Sequence, residues 1–359
     1  MYHCEACGRE YGPDGPWRCA CGHALDYAQR PLPDADDPPD PRTLDRDRGL
    51  WSFEPFLPVE RRVSLGEGWT PLVDDAAFDA QLKLDSVFPT GSFKDRGATV
   101  TLSQADALGV ERVVEDSSGN AGLAIATYAA RAGIDAEIYV PADAKPTKLR
   151  KIERTGADVV RIEGTRGDVT DACHDALDGA DAWYASHAWQ PAFFAGTATW
   201  ALEVAAQRNW TVPDAVVVPV GHGTLLLGAY RGFRALRAAG WTEEVPRLLG
   251  AQASGYAPIA AGQPASDGGT DDANEVADGI QIHRPARGDQ LLDALAATGG
   301  TAVAVDAAAT ERAHDRLARA GYQVEPTCAT AVAGLERFRA AGTVTADEDV
   351  VVVLSGQNY

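Results

Sequence analysis

Arg112-Val113-Val114-Glu115-Asp116-Ser117-Ser118-Gly119-Asn120-Ala121-Gly122 passes from a β-branched run, through a polar turn, into an alanine-rich stretch that reaches Ala132. The apolar run has the length of a buried strand, and residues 121–132 carry helical spacing. The rhythm repeats at once, with a strand expected at 136–140, a helix at 147–154 and a strand at 158–162. Short strand, turn and helix in alternation specify an α/β fold, a parallel sheet with helices on both faces.

Further along, a second series follows: a helix at 192–209, the strand Ala215-Val216-Val217-Val218-Pro219-Val220, a glycine-rich turn and a helix at 224–239. Strands at 247–252, 301–305 and 349–354 alternate with helices at 307–320 and 327–341. The pattern predicts two doubly wound lobes, with ligands bound where strands end and the lobes face each other. Residues 261–275, rich in Gly, Ser and Asp, read as a mobile loop.

Three turns carry candidate chemistry. Gly221, His222, Gly223, Thr224 and Leu225 follow a buried strand and open a helix, so their amides and the helix dipole suit an anion; a plain tight turn explains them equally. The spacing matches neither the dinucleotide fingerprint nor a Walker loop. Ser117, Ser118, Gly119 and Asn120 sit at another strand-to-helix turn, where they fit a carboxylate or merely cap the helix. Thr90-Gly91-Ser92-Phe93-Lys94-Asp95-Arg96-Gly97 precedes a helical pattern at 98–108 and sets one lysine between a ring and a charge pair. Taken alone, Lys94 is either a surface lysine paired to Asp95 or an amine tuned for covalent work.

Four of the six cysteines fall near the amino terminus as Cys4-Glu5-Ala6-Cys7-Gly8 and Cys19-Ala20-Cys21-Gly22. Glycine after each pair lets backbone amides turn around thiolates, and Tyr11, Trp17 and Leu25 suit a small ribbon around structural zinc. The second pair is a residue shorter than the common knuckle, which leaves open replacement of one thiolate by His23, or an empty site. Cys173 and Cys328 read as small buried hydrophobes.

The 359 residues include 32 basic and 52 acidic side chains, a net charge of −20 that repels nucleic acid and anionic lipid. No apolar run reaches membrane length and the first residues form no signal peptide, so a soluble cytoplasmic protein is expected. Scattered aspartate with scarce lysine points to a salt-loving source. Five prolines and four aspartates in 31–42 mark a linker. The expected organisation is a zinc-ribbon-like segment at 1–28, a linker at 29–48 and a catalytic domain at 49–359, with a small lobe at roughly 98–200 inserted in the large one.

In this order the strings resemble the tryptophan-synthase-β-like (fold type II) family of pyridoxal-phosphate (PLP) enzymes, and within it the threonine synthases. The resemblance is carried by the cysteine ribbon, Ser64-Leu65-Gly66-Glu67-Gly68-Trp69-Thr70-Pro71-Leu72, residues 89–97, 117–122 and 218–223, and Leu354-Ser355-Gly356. It implies that Lys94 holds PLP as a Schiff base and shuttles protons, that Asn120 bonds the 3′-oxygen and that Phe93 lies beside the ring. It further implies that the amides of Gly221, His222, Gly223, Thr224 and Leu225 cradle the phosphate, that Ser355 faces the pyridine nitrogen and that Ser117, Ser118, Gly119 and Asn120 grip a substrate carboxylate. A hydroxyl partner leaves that nitrogen largely neutral, which favours elimination or replacement at Cβ or Cγ over transamination. A small amino-acid substrate, a homodimer and structural zinc on Cys4, Cys7, Cys19 and Cys21 are the partners and metal implied.

The resemblance thins at His187-Ala188-Trp189-Gln190-Pro191-Ala192-Phe193-Phe194-Ala195-Gly196-Thr197-Ala198-Thr199. Here the family commonly shows Asn-Pro, Glu-Gly and a Lys, and Phe88 stands where many members have Asn. Apolar groups replace donors that a dianionic substrate phosphate needs. Trp189, Phe193 and Phe194 are either an apolar substrate wall or the packing of a helix start, while Arg150, Lys151 and Arg154 could supply charge if the small lobe closes. His222 and His187 read as site residues or as hydrogen-bonded turn histidines. Three functions are therefore weighed: conversion of O-phosphohomoserine and water to threonine and phosphate; a threonine or serine ammonia-lyase or an activated-serine synthase; and a silent regulatory protein, against which intact Lys94, Asn120 and Ser355 argue.

Overall fold

The computed structural model describes residues 1–35, 37–177, 182–266 and 272–357. In chain order the strands are β1 (Tyr2–His3), β2 (Glu10–Tyr11), β3 (Asp26–Tyr27), β4 (Leu72–Asp75), β5 (Ala80–Lys83), β6 (Arg112–Glu115), β7 (Asp135–Pro141), β8 (Asp158–Ile162), β9 (Trp183–Tyr184), β10 (Ala215–Pro219), β11 (Arg247–Ala253), β12 (Thr301–Val305) and β13 (Val350–Val353). The helices are α1 (Lys94–Ala107), α2 (Asn120–Ala132), α3 (Pro146–Glu153), α4 (Arg166–Asp175), α5 (Pro191–Gln207), α6 (Thr224–Ala238), α7 (Gly288–Ala297), α8 (Ala307–Arg319) and α9 (Pro326–Ala340). The α/β architecture read from the sequence is the one observed. The chain divides into two compact units, one of residues 1–31, 47–67 and 94–196, the other of 32–46, 68–93 and 197–359.

The first unit holds a parallel sheet in the order β8-β7-β6-β9. Neighbouring residues on a strand point to opposite faces, and the sequence exploits this on β6 and β7. Val113, Ile138 and Val140 pack with Ala98, Leu102, Ala124, Ile125 and Tyr128 of α1 and α2. Val114 and Tyr139 join Val169, Cys173 and Tyr184 on the other side. Gly133, at φ 72, terminates α2 by returning its N–H to the last turn. The antiparallel ribbon β2-β1-β3 belongs to the same unit.

The second unit is built on the sheet β12-β11-β10-β13-β5-β4, parallel apart from its β4 edge. Val217, Leu249, Ala251 and Val352 form its core with Val332, Leu335 and Phe338 of α9. The proline-rich stretch read as a linker is tied to this unit by two indoles, Trp210 Nε1 donating to Pro39 O at 2.7 Å and Trp241 Nε1 to Ala35 O at 3.0 Å.

Most expected elements recur within two residues of their expected ends. One boundary is corrected: α1 begins at Lys94, a turn before the expected 98. Gly97 reads as a breaker, yet it is helical because a ring takes the place of its side chain; a Cβ there would fall 2.3 Å from Phe193 Cδ1. Sequence reading passed over the β4–β5 hairpin, β9, α4 and α7. Helix α4 did carry a signature, since Thr165 and Asp168 form a capping box. The loop expected at 261–275 falls partly on 267–271, outside the described residues; Asn274 near its end is buried, its amide donating to Val305 O at 3.0 Å.

Candidate active site

Lys94 opens α1 half-buried, followed by fully buried Asp95 and Arg96. Two glycines fix this first turn within the first unit: Gly97 accommodates Phe193, and Gly196 of α5 lies so close that a Cβ would stand 1.9 Å from Arg96 O. Beneath the helix, buried Glu67 gathers donors from Trp51 Nε1 at 3.1 Å, Leu65 N at 2.7 Å and Tyr128 OH at 3.0 Å. The carboxylate of the Ser64 string is thus a structural tie.

The 117–120 turn joins β6 to α2. Ser117 Oγ accepts from Gly119 N at 3.3 Å, and Gly119 is the N-cap. The N-cap itself makes no side-chain hydrogen bond to the helix, and α2 starts with Asn120. Gly122 is obligatory, because a Cβ would meet Ser117 O at 1.8 Å. Just before the turn, buried Glu115 pairs with His187, Nδ1 lying 2.7 Å from Oε1. Asp116 accepts from Thr170 Oγ1 and Tyr184 OH, each at 2.7 Å. His187 was flagged in the sequence, whereas Glu115 was not; the pair is 72 residues apart in the chain and no local pattern joins it.

In the second unit the buried strand β10 leads to Gly221, half-buried His222 and Gly223, then α6. Gly223 takes φ 76 and abuts Leu291, so no other residue fits there without strain. Helix α6 has no side-chain cap and no acid in its first turn, a donor set that fits an anion. Thr197 Oγ1 and Trp200 Nε1 each donate at 3.2 Å to the carbonyls of Thr224 and Leu225, holding that turn.

Ser355 is buried in the same unit and its carbonyl accepts from Phe93 N at 2.9 Å. Ser92 pairs with Gly356 as an antiparallel bridge, and Gln357 N donates to Gly91 O at 2.9 Å. The lysine string and the carboxy-terminal string are therefore zipped together up to Phe93. Cys328 is more than the small hydrophobe expected: its Sγ accepts from Gly356 N at 3.1 Å and lies 3.4 Å from Ser355 Oγ. Burial pushes its thiol up to about 12, so it acts there as a neutral group. Ser92 Oγ is fully buried without a hydrogen-bond partner among the described residues, a group of the kind a bound polar ligand completes. Together with the uncapped α6 turn, these observations fit a phosphorylated cofactor.

At 187–199 the structure decides between wall and packing. Phe193 and Phe194 are fully buried, Phe193 in the core of the first unit, and Trp189 meets Trp17 edge-on at 5.0 Å. These rings pack the interior and do not form a substrate wall. Gln190 gives its amide to Tyr184 O at 2.6 Å. Arg150 and Arg154 lie exposed at the end of α3.

The ribbon brings Cys4, Cys7, Cys19 and Cys21 together, their sulfurs all within 4.8 Å of one another. Gly8 and Gly22, at φ 71 and 90, let each loop return an amide, to Cys4 O and Cys19 O at 2.8 Å, so the short second pair still forms a knuckle. Sulfurs at 3.5 and 3.6 Å are far longer than disulfides and close to the about 3.8 Å that tetrahedral zinc imposes. Burial pushes the Cys4 thiol up to about 12, while the His23 backbone amide chiefly draws Cys21 down to about 6.

Residues 63–356 match the family described as pyridoxal-phosphate dependent enzyme. The chain belongs to that family: it is a PLP-dependent enzyme of the fold type II class. More particularly, it is 32% identical to threonine synthase of Methanocaldococcus jannaschii over 99% of this chain and 92% of the relative. It is 33% identical to threonine synthase of Methanosarcina acetivorans over 99% and 91%. Among solved structures it is similar to maize serine racemase, with a TM-score of 0.69, 22% identity and coverage of 88% and 93%, a likeness of fold. Among the described residues no helix is long and apolar enough to cross a membrane.

Proposed function

We propose that the enzyme catalyses elimination or replacement at Cβ or Cγ of an amino acid, converting O-phosphohomoserine and water to threonine and phosphate. The observation carrying this reading is the match to threonine synthases along 99% of the chain, ribbon included. Lys94 would carry the cofactor, Asn120, Phe93 and Ser355 would hold its ring, and the amides of Gly221, His222, Gly223, Thr224 and Leu225 its phosphate. When bound, PLP supplies an electron sink for negative charge developing at the substrate's Cα. The amine of Lys94 takes the Cα proton and returns protons further along the substrate chain. The turn of Ser117, Ser118, Gly119 and Asn120 orients the substrate carboxylate through the start of α2. Cys4, Cys7, Cys19 and Cys21 would hold zinc with all four positions filled by protein, a structural role.

A second reading, a threonine or serine ammonia-lyase or an activated-serine synthase, is favoured by one observation. The segment 187–199 offers a substrate phosphate no arginine or lysine, and its Gln190 amide is already engaged. A substrate panel separates the two. The first reading expects phosphate release and threonine from O-phosphohomoserine; oxoacid from threonine or serine without phosphate release would replace it with the second. For the ribbon, the expected result is about one zinc per chain in the wild type and loss of it in Cys4→Ser, read by elemental analysis.

A further inference from the structure

Trp17 leaves the ribbon two residues before Cys19 and lies half-buried against three other elements of the first unit. Its indole stacks on His174 of α4 with ring centroids 4.4 Å apart, and meets edge-on both Tyr184 of β9, at 5.1 Å, and Trp189 ahead of α5, at 5.0 Å. His174 and Tyr184 also meet edge-on, at 5.2 Å, so the rings form one cluster. The backbone behind the indole is held by the second knuckle: Arg18 pairs with Ala24 as an antiparallel bridge, and Cys19 N donates to His23 O at 2.9 Å. Where the knuckle sits therefore sets where Trp17 points.

Elsewhere the ribbon is docked on the last turn of α1, where Tyr27 OH donates to Gln104 Oε1 at 2.8 Å and Gln104 Nε2 donates to Tyr2 OH. The Trp17 contact reaches the substrate turn instead. Tyr184 donates its hydroxyl to Asp116 Oδ1, and Thr170 Oγ1 of α4 donates to Oδ2, each at 2.7 Å. Thr170 stands one turn before His174 on the same helix, a spacing that puts the two side chains on one face. One indole thus braces both donors of that carboxylate, Tyr184 directly and Thr170 through its helix. Asp116 is bonded to Ser117, the first residue of the turn, whose Oγ accepts from Gly119 N at 3.3 Å. A hydroxyl fixes a carboxylate only as firmly as the hydroxyl is itself fixed, and here packing on Trp17 does the fixing.

We propose that Trp17 is a positioning residue, through which the ribbon braces Tyr184 and Thr170 and so holds Asp116 and the 117–120 turn in register for the substrate carboxylate. The inference rests on that turn being the carboxylate site. Steady-state kinetics of the full-length holoenzyme, on whichever amino acid the wild type turns over, test it. In Trp17→Ala, KM should rise about ten-fold with kcat within about two-fold and the visible absorbance of lysine-bound cofactor intact, the pattern of binding lost equally from ground and transition states. Trp17→Phe, which keeps a ring, should bring KM back to within about three-fold of wild type. Tyr184→Phe keeps every ring and removes only the hydroxyl on Asp116; it should raise KM by a similar factor. Because both act on one path, Trp17→Ala/Tyr184→Phe should be worse than either single variant by no more than about two-fold. If Trp17→Ala does not fold, Trp17→Leu, which fills space without a ring, takes its place in the same cycle. An unchanged KM in the Trp17 variant without a ring, or single effects that multiply in the double variant, overturns the proposal. Ser117→Ala and Ser118→Ala test the reading beneath it: KM unchanged by both would remove the turn as the carboxylate site, and the inference with it. KM raised by either, with the ring-less Trp17 variant at the wild-type value, would remove the ribbon's part alone.

Discussion

Lys83 and Lys94 lie close in sequence, one ending β5 in the second unit and the other opening α1 in the first, and their surroundings differ in kind. Lys83 is fully buried, and its ammonium donates to Thr70 O at 2.7 Å, Glu203 Oε2 at 2.8 Å and Gln207 Oε1 at 2.9 Å. Each N–H has an acceptor and the charge has a counterion, so the group is held cationic and spent on structure. Lys94 is half-buried as the first residue of α1, within the string that the resemblance marks as cofactor-binding. A lysine that keeps access to solvent at a helix start is placed for chemistry, whereas one enclosed among three acceptors is placed for structure.

The sharpest test exchanges the two. Lys94→Ala should abolish the lysine-bound cofactor absorbance and lower turnover by about 10⁴-fold, with thermal stability nearly unchanged. Lys83→Met should do the reverse, destabilising by about 3–5 kcal/mol in chemical denaturation because buried Glu203 loses the ammonium 2.8 Å from it. The double variant Lys83→Met/Glu203→Leu should recover most of that loss, and failure to recover would show that Lys83 does more than satisfy its partner.

A smaller effect is expected from Gly97→Ala. The new methyl would collide with the Phe193 ring, an overpacking cost of about 1–3 kcal/mol, and would displace the turn that aims Lys94. Reduced kcat at unchanged cofactor content is the expected signature. Phe193→Leu in the same chain should relieve it, which places the defect in that contact.

These two lysines also show how far the sequence could be read. Lys94 stood in a local string whose neighbours, Phe93 and Gly97, carry a pattern, and the strand–turn–helix alternation around residue 112 set the architecture. Lys83 was invisible, because its partner Glu203 is 120 residues away and only the packing of α5 on the second unit joins them. The Glu115–His187 pair is hidden for the same reason, and the start of α1 was misplaced because the ring that makes Gly97 helical comes from Phe193. What is local in the chain, turns and periodicity, was legible. What depends on a side chain meeting another from a distant element was not.

The gentlest test concerns the charge state of the two acids, Glu203 against Glu115. Glu203→Gln should destabilise by about 3 kcal/mol at neutral pH, since Lys83 then lacks its counterion. Glu115→Gln should cost no more than about 1 kcal/mol, with a dependence on pH that reports the raised carboxyl of Glu115. Because the folded carboxyl of Glu115 titrates above its ordinary 4.5, the folded protein keeps a proton that the unfolded chain releases. That contribution is fully present below about 4.5 and is lost as pH rises through the raised value. His187 works in the opposite direction: lowered from 6.5 to about 3, it costs stability as pH falls across that interval, because only the unfolded chain takes up the proton. Replacing Glu115 by Gln removes the first dependence and leaves the second. Thermal unfolding from about pH 4 to about pH 9 should therefore show the variant gaining on the wild type as pH rises past 4.5. Parallel curves would mean that the folded protein does not raise the Glu115 carboxyl, and that burial there is offset by its hydrogen bonds.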